Sequence, residues 1–312
     1  MTAGRRHAST AAGADLAALV QRRHEALATH LAAARNCDVE AVHQARVASR
    51  RLREVVPVVA ANLPRARRKR LERDLRRLTR ALGPVRELDV AASMVDALEL
   101  TDDDGQRLRN CWQARLDRER RAPARALRKA LTPARRNRLG RCLDAFATVR
   151  GLSDDPGWRT ALASRLERRA RDLRACLDHT GALYLVDPLH EVRIAGKKLR
   201  YALELVDETR LGRVTTLLAT LKKSQEVLGR LHDIDVLARR LQDLLDVAPG
   251  DPLDEVAARV GAALDQESRW LHARYLRRRS ALASLTDSTL DILVPRVLTP
   301  PRRPFPVAAH AR

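Results

Sequence analysis

Two stretches of the chain concentrate side chains suited to gripping an anion. The first, HQARVASRRLR, sets His43, Arg46, Arg50, Arg51 and Arg53 within residues 43–53. The second, HEVRIAGKKLR, sets His190, Arg193, Lys197, Lys198 and Arg200 within residues 190–200. Arginine presents a planar fork that matches phosphate oxygens, whereas lysine acts as a point charge. A histidine beside several cations is held mostly neutral near pH 7 and can still donate one hydrogen bond. The chemistry of these residues is anion binding. Catalytic signals are missing: no HExxH, GxSxG or GxxxxGK[ST] occurs, and nothing nominates a nucleophile or a general base. The expectation is therefore a binding protein rather than an enzyme, with no cofactor and no metal. His232-Asp233 invites a metal-phosphohydrolase reading, but that chemistry needs further His and Asp ligands on nearby helices. The matched pair Arg86-Glu87 has no histidine. Asp89 and Asp235 are better read as helix caps or as partners of nearby arginines.

The two basic stretches belong to a longer internal repeat. Residues 41–59 align with residues 188–206, and six of the 19 positions are identical. Arg50 and Arg51 become Lys197 and Lys198, which keeps the charge. A second match follows in the same order: LGPVRELDV at 82–90 faces LGRLHDIDV at 228–236. Two motifs in one order at nearly one separation point to a duplicated helical plan. Duplication of this kind commonly gives a pseudo-two-fold shape with equivalent helices facing each other. Lys222 and Lys223, just before the second LG motif, align with Arg76 and Arg77 before the first.

Elements that position these residues are helical. Ala, Leu, Arg and Glu fill the long stretches between breaks, and β-branched runs are short. Helices are predicted over 15–35, 38–63 with Asp38 as N-cap, and 65–82. Gly83-Pro84 ends the third, and a fourth runs from Pro84 to about Leu100. Pro57 should kink the second. Asp102 to Gly105 is a loop. A basic segment from Gln106 to Val149 breaks near Pro133, and Gly151 to Gly157 is the boundary between repeats. Helical patterning then covers 158–177, 188–208, 214–228, 230–247 and 252–285. On a helix turning about 100° per residue, Val42, Ala45, Ser49, Leu52, Val56 and Val59 make one apolar stripe. His43, Arg46, Arg50 and Arg53 make the adjoining arc, and Arg51 lies further round. Leu189, Val192, Gly196, Leu199, Leu203 and Val206 repeat the stripe, beside His190, Arg193, Lys197 and Arg200. A basic arc is ordinarily a solvated face. Here the acids that would offset it at i+4 are mostly missing, and both copies open on histidine.

Composition narrows the partner class. With 60 Lys and Arg against 39 Asp and Glu, the formal charge is +21. Self-repulsion of this size usually serves a polyanionic partner. Only six of the cations are lysine, and four of those lie in the matched segments. Residues 65–80 add nine cations against two acids, a second face suited to a polyanion. No apolar run is long enough to span a membrane, no secretory signal is evident, and the four scattered cysteines fit reduced thiols in the cytoplasm. Nucleic acid is the rival ligand. Aromatics make up only 3%, which starves base stacking, and no sequence-reading motif is evident, so that binding would be weak and non-specific. Oligomeric state is left open.

Taken together, VHQARVASRRLR with LGPVRELDV, then LHEVRIAGKKLRY with LGRLHDIDV, resembles the CHAD family, the conserved histidine α-helical domains. The resemblance covers roughly Asp15 to Leu285. It implies an all-α fold of two four-helix halves around a basic central cavity, and binding of inorganic polyphosphate, in some members at polyphosphate granules. Residue by residue, it implies a polyphosphate site at His43, Arg46, Arg50, Arg51, Arg53, Arg76, His190, Arg193, Lys197, Lys198, Arg200, Lys222 and Lys223. The family often shows Arg-Asp in the loop-helix motif, so the roles of Arg86, Glu87, His232 and Asp233 stay open. Some relatives carry a triphosphate-tunnel domain with an ExExK signature, which does not occur here. The expected layout is a flexible stretch at 1–14, a helical domain at 15–290 with repeats at 15–150 and 158–290, and a Pro/Arg-rich disordered tail at 291–312.

Overall fold

A computed structural model describes residues 6–59, 64–147, 157–245 and 253–299. All regular structure among them is helical. The helices are α1 (Arg6–Arg35), α2 (Val39–Val59), α3 (Arg65–Asp96), α4 (Asp103–Ala130) and α5 (Pro133–Ala147). They continue as α6 (Gly157–His179), α7 (Val186–Glu208), α8 (Thr215–Leu245) and α9 (Leu253–Ser288). A π-helical turn (Thr289–Leu293) then leads into α10 (Val294–Leu298).

Local chemistry explains most of the boundaries. The Asp38 carboxylate accepts the Ala41 amide at 2.8 Å, which caps α2 as its sequence predicts. α1 closes with Cys37 at φ 62°, where the Asp38 amide reaches back to the Ala33 carbonyl. α7 closes the same way with Arg210 at φ 55° and the Leu211 amide on Val206. Both are left-handed helix stops, which glycine usually fills. Asp102 caps α4 by accepting the Gly105 amide at 2.8 Å, so residues 103–105 are the first turn of that helix rather than a loop.

Two expected breaks do not occur. α3 passes unbroken through Gly83-Pro84, and α8 through Gly229. Proline mid-helix forfeits one hydrogen bond and costs about 3 kcal/mol. Leu78, Leu82, Val85 and Leu88 are nevertheless all buried at helical spacing across the proline. Burial of a single such side chain is worth about 1.5–3 kcal/mol, so the stripe outweighs the local penalty. α2 is likewise continuous through Pro57. The C-terminal region also departs from expectation: residues 291–298 are helical rather than tail, and Leu293 and Val297 among them are buried. Residues 300–312 of that expected tail lie outside the described residues. α1 begins at Arg6, inside the stretch expected to be flexible.

Packing follows chain order. α1 lies on α2, α2 on α3 and α3 on α4; α6, α7, α8 and α9 repeat that succession. The two series meet where α2 touches α6 and α7, α3 touches α8, and α4 touches α9. Both expected apolar stripes are buried, from Val42 to Val59 and from Leu189 to Val206. Ion pairs tie the series together. Glu54, buried, takes Arg165 at 2.5 Å and Arg169 at 3.2 Å from α6. Arg23 of α1 meets Glu208 of α7 at 2.5 Å. Among the described residues no helix is long and apolar enough to cross a membrane.

Candidate functional site: a basic cavity between helices

The basic arcs of α2 and α7 face one another across a cavity of ≈ 560 Å³. α2 contributes His43, Arg46 and Arg50; α7 contributes His190, Arg193, Lys197, Arg200 and Tyr201. α3 adds Arg86 and Glu87, and α8 adds Lys222, Gln225, His232 and Asp233. A second cavity of ≈ 630 Å³ adjoins it. Arg50, Ile194, Lys197 and Tyr201 line both, so the two share a wall. The second is faced by Arg53, Arg68, Lys69 and Arg76, by Lys198, and by Arg165, Arg168 and Arg169 of α6.

Eleven of the thirteen expected site residues therefore line one cavity or the other. Two do not. Arg51 points away and pairs with Glu204 at 2.9 Å, joining a small network in which Arg200 reaches the same carboxylate at 3.4 Å. Its position further round the helix already separated it from the arc. Lys223 is exposed and lines neither cavity, because it sits about 100° round α8 from Lys222.

Cations outnumber the lining acids Glu87, Glu226 and Asp233 in the first cavity. Asp233 lies 4.0 Å from Arg193, and Glu87 is taken by Arg240 at 3.3 Å. The Nε of Arg193 finds no hydrogen-bond partner, and neither polar atom of the buried Gln225 amide finds one. Burial, then Arg50 and Arg193, push the Arg46 guanidinium down to about 10, which leaves it charged at neutral pH. Burial, then Arg193, Arg50 and Arg46, push the Lys197 ammonium down to about 7. Burial also lowers Arg193 and Arg53 and raises the Asp233 carboxyl, although Arg193 and Lys197 pull the other way.

Histidines of the cavity are neutral. His190 and His232 meet through their Nδ1 atoms at 3.1 Å, so one ring donates and the other accepts. Burial, then Arg193, His190 and Lys197, push His232 down to about 3. His190 and His43 are also lowered, mainly by burial. His43 therefore brings the cavity a neutral donor or acceptor, as its sequence context suggests. The two matched aspartates split: Asp89 pairs with Arg120 at 2.8 Å, while Asp235 accepts from the Tyr184 hydroxyl rather than from an arginine. Neither caps a helix, since both lie well inside α3 and α8.

Sequence reasoning missed several members. Arg165, Arg168 and Arg169 come from a helix outside the repeated motifs, and only the tertiary contact of α2 with α6 brings them in. Tyr201 follows the second motif directly but carries no charge signal. Arg86 could have been inferred from its place in the LG motif. In the face at 65–80, Arg68, Lys69 and Arg76 turn toward the second cavity, while Arg77 lines a separate groove with Arg135, Arg136 and Arg138. Gly83 has a role its turn-forming reputation conceals: a Cβ there would lie 2.9 Å from Arg46 Nη1, so the bare backbone gives the guanidinium room.

The family model of the CHAD domain matches residues 18–242. The crystal structure of the CHAD domain from the plant Ricinus communis superposes with a TM-score of 0.56 at 25% identity, covering 88% of this chain and 91% of that one. A structure of PptA from Streptomyces chartreusis superposes with a TM-score of 0.55 at 17% identity, covering 89% and 98%. No curated protein matches the chain.

Proposed function

The chain belongs to the CHAD domain family, and from that premise we propose that it binds inorganic polyphosphate in the paired basic cavities between α2 and α7. The reading includes an internally duplicated fold whose two halves set equivalent basic helices across a central cavity. One observation carries it: Arg46, Arg50, Arg193 and Lys197 share a cavity in which, among the described residues, Asp233 is the one carboxylate within ion-pair distance of them. A cluster of that kind is unfavourable when empty and is relieved by a polyanion. Successive phosphates of a flexible chain engage successive cations and release counterions. Each added contact forms at high effective concentration, so affinity rises with polymer length. Glu208 holds Arg23 and Glu204 holds Arg51 outside the cavities, while Glu54 fixes Arg165 and Arg169 in the wall of the second cavity. The protein acts as a binder rather than an enzyme and works in the cytoplasm, where association with polyphosphate granules follows from the same affinity.

The test is competition at near-physiological salt. Labelled long-chain polyphosphate is displaced by unlabelled polyphosphate, double-stranded DNA, RNA or ATP. Displacement by polyphosphate alone at low concentration is the expected result. Equal displacement by nucleic acid per phosphate would make the surface a general polyanion binder and overturn the assignment.

A further inference from the structure

We propose that Lys197 is a carbonyl-reactive lysine whose ligands are aldehydes that carry a phosphate group. The inference uses the cavity but not the polymer, so it stands or falls separately from polyphosphate binding.

An amine adds to a carbonyl only in its neutral form. An ordinary lysine at pH 7 is neutral in roughly one molecule in a few thousand. Lys197 stands in a different setting. Arg46 and Arg50 face it from α2, and Arg193 lies one turn earlier on α7. Asp233 of α8 leans on Arg193, and Glu226 of the same helix also lines the cavity but is exposed. Glu87 of α3 is engaged by Arg240, and the cavity histidines are neutral. Some charge in such a crowd must be shed, and guanidinium does not lose its proton near neutral pH. Lys222 also lines the cavity but is exposed, whereas Lys197 stands between these three arginines, so Lys197 is the group that yields. Burial and the three guanidiniums place its pKa at about 7. Desolvation and adjacent cations are the means by which enzymes make a lysine nucleophilic.

Access and anchorage complete the case. Lys197 lines both cavities, so it can be approached from either. The guanidiniums that hold its amine neutral are also phosphate receptors. A small aldehyde bearing phosphate is thus drawn to the place where the neutral amine sits. The Nζ lone pair forms a C–N bond to the carbonyl carbon, and the carbonyl oxygen takes up a proton to give a carbinolamine. That hydroxyl leaves as water with one proton from nitrogen, and an imine remains. One water is released, and no oxidant or reductant is consumed.

Only six lysines occur in the chain, so the outcome can be mapped fully. Lys129 and Lys223 are exposed, line neither cavity and serve as internal controls, while Lys69, Lys198 and Lys222 are exposed lysines of the cavity walls against which Lys197 is compared. The protein is treated with pyridoxal phosphate at pH 7, reduced with borohydride, and mapped by peptide mass. We expect Lys197 to be labelled about tenfold or more faster than any other lysine, and pyridoxal lacking the phosphate to label it at least as much more slowly. Arg50→Gln should slow the labelling and move its pH midpoint upward, while circular dichroism verifies that the variant is folded. Lys197→Arg should abolish the adduct. Labelling spread evenly over the exposed lysines, or equal labelling by pyridoxal, overturns the proposal. If Lys197 is labelled and polyphosphate gives no protection, the polymer reading fails and this one stands.

Discussion

The α2–α3 motif and the α7–α8 motif answer to one pattern yet differ in what their side chains do. Arg46 and Arg193 hold matched places, and both are half-buried cations lining one cavity. One turn on, Arg50 is matched by Lys197, so one side keeps a permanent charge where the other has a group poised to lose its proton. Arg86-Glu87 is matched by His232-Asp233. The first pair binds outward through Glu87 and Arg240; the second turns inward, with His232 on His190 and Asp233 on Arg193. Glu54, which ties α2 to α6, is matched by Tyr201, which lines both cavities. Arg76 serves the second cavity and its counterpart Lys222 the first. Repetition preserves the positions that carry charge, while the surrounding contacts settle whether a charge is permanent, titratable or structural.

The largest effect should come from breaking both sides at once. Reversing Arg46, Arg50, Arg193 and Lys197 together to Glu should lower polyphosphate affinity by about a thousandfold or more, with the helical circular dichroism retained. Unchanged affinity in the folded variant would remove the site. Next in size is the clamp present on one side only. Glu54→Ala leaves the buried Arg165 without its counter-charge, takes one of two carboxylates from Arg169 and should cost about 3 kcal/mol, read in denaturant unfolding. A loss under about 1 kcal/mol would mean that water replaces the carboxylate.

Single reversals sharpen the comparison. Arg46→Glu and Arg193→Glu should each weaken binding about tenfold and lower the salt slope by about the same amount, if the two helices contribute equally. A tenfold difference between the two would show that one side dominates. The pH dependence should belong to the second motif. Lys197 is pushed down to about 7 in the free protein, and a bound polyanion raises it again. The complex then holds more protons than the free chain above pH 7, so affinity is full below that pH and falls as pH rises beyond it. Titration calorimetry across pH 6 to 9 reads the slope, and Lys197→Arg should flatten it.

His232 gives the opposite limb. Its folded pKa of about 3 lies below the unfolded value, so the unfolded state binds more protons between the two. Stability contributed by the neutral ring is complete above about pH 6.5 and drains away as pH falls toward 3, at up to roughly 1 kcal/mol per pH unit. His232→Gln should remove that part of the acid slope. The smallest effects should come from residues outside both cavities: Lys223→Glu should change affinity less than about twofold.

Legibility in the sequence followed the range of the interactions. The apolar stripes of α2 and α7 were readable because helical period alone fixes which residues share a face, and Asp38 because a cap is decided within three residues. The Gly83-Pro84 break was misread because the force that overrides it is burial of Leu82, Val85 and Leu88 against distant helices. Arg51 passed as a site residue because nothing local reveals Glu204, which belongs to α7. His190 and His232 were each visible in a motif, but their contact joins two helices and no periodicity encodes it. The arginines of α6 gave no repeat signal and enter the second cavity only through tertiary packing.

Gly83 sets durability against grip. Alanine at that position would gain up to about 1 kcal/mol of helix stability, and the atom it meets is the tip of Arg46, which can swing aside. Selection for heat tolerance alone would therefore favour the substitution, at the expense of where the guanidinium points. An engineer who hardens this scaffold by consensus helix formers should expect the gain at residue 83 to appear as a sturdier protein with a misaimed hand.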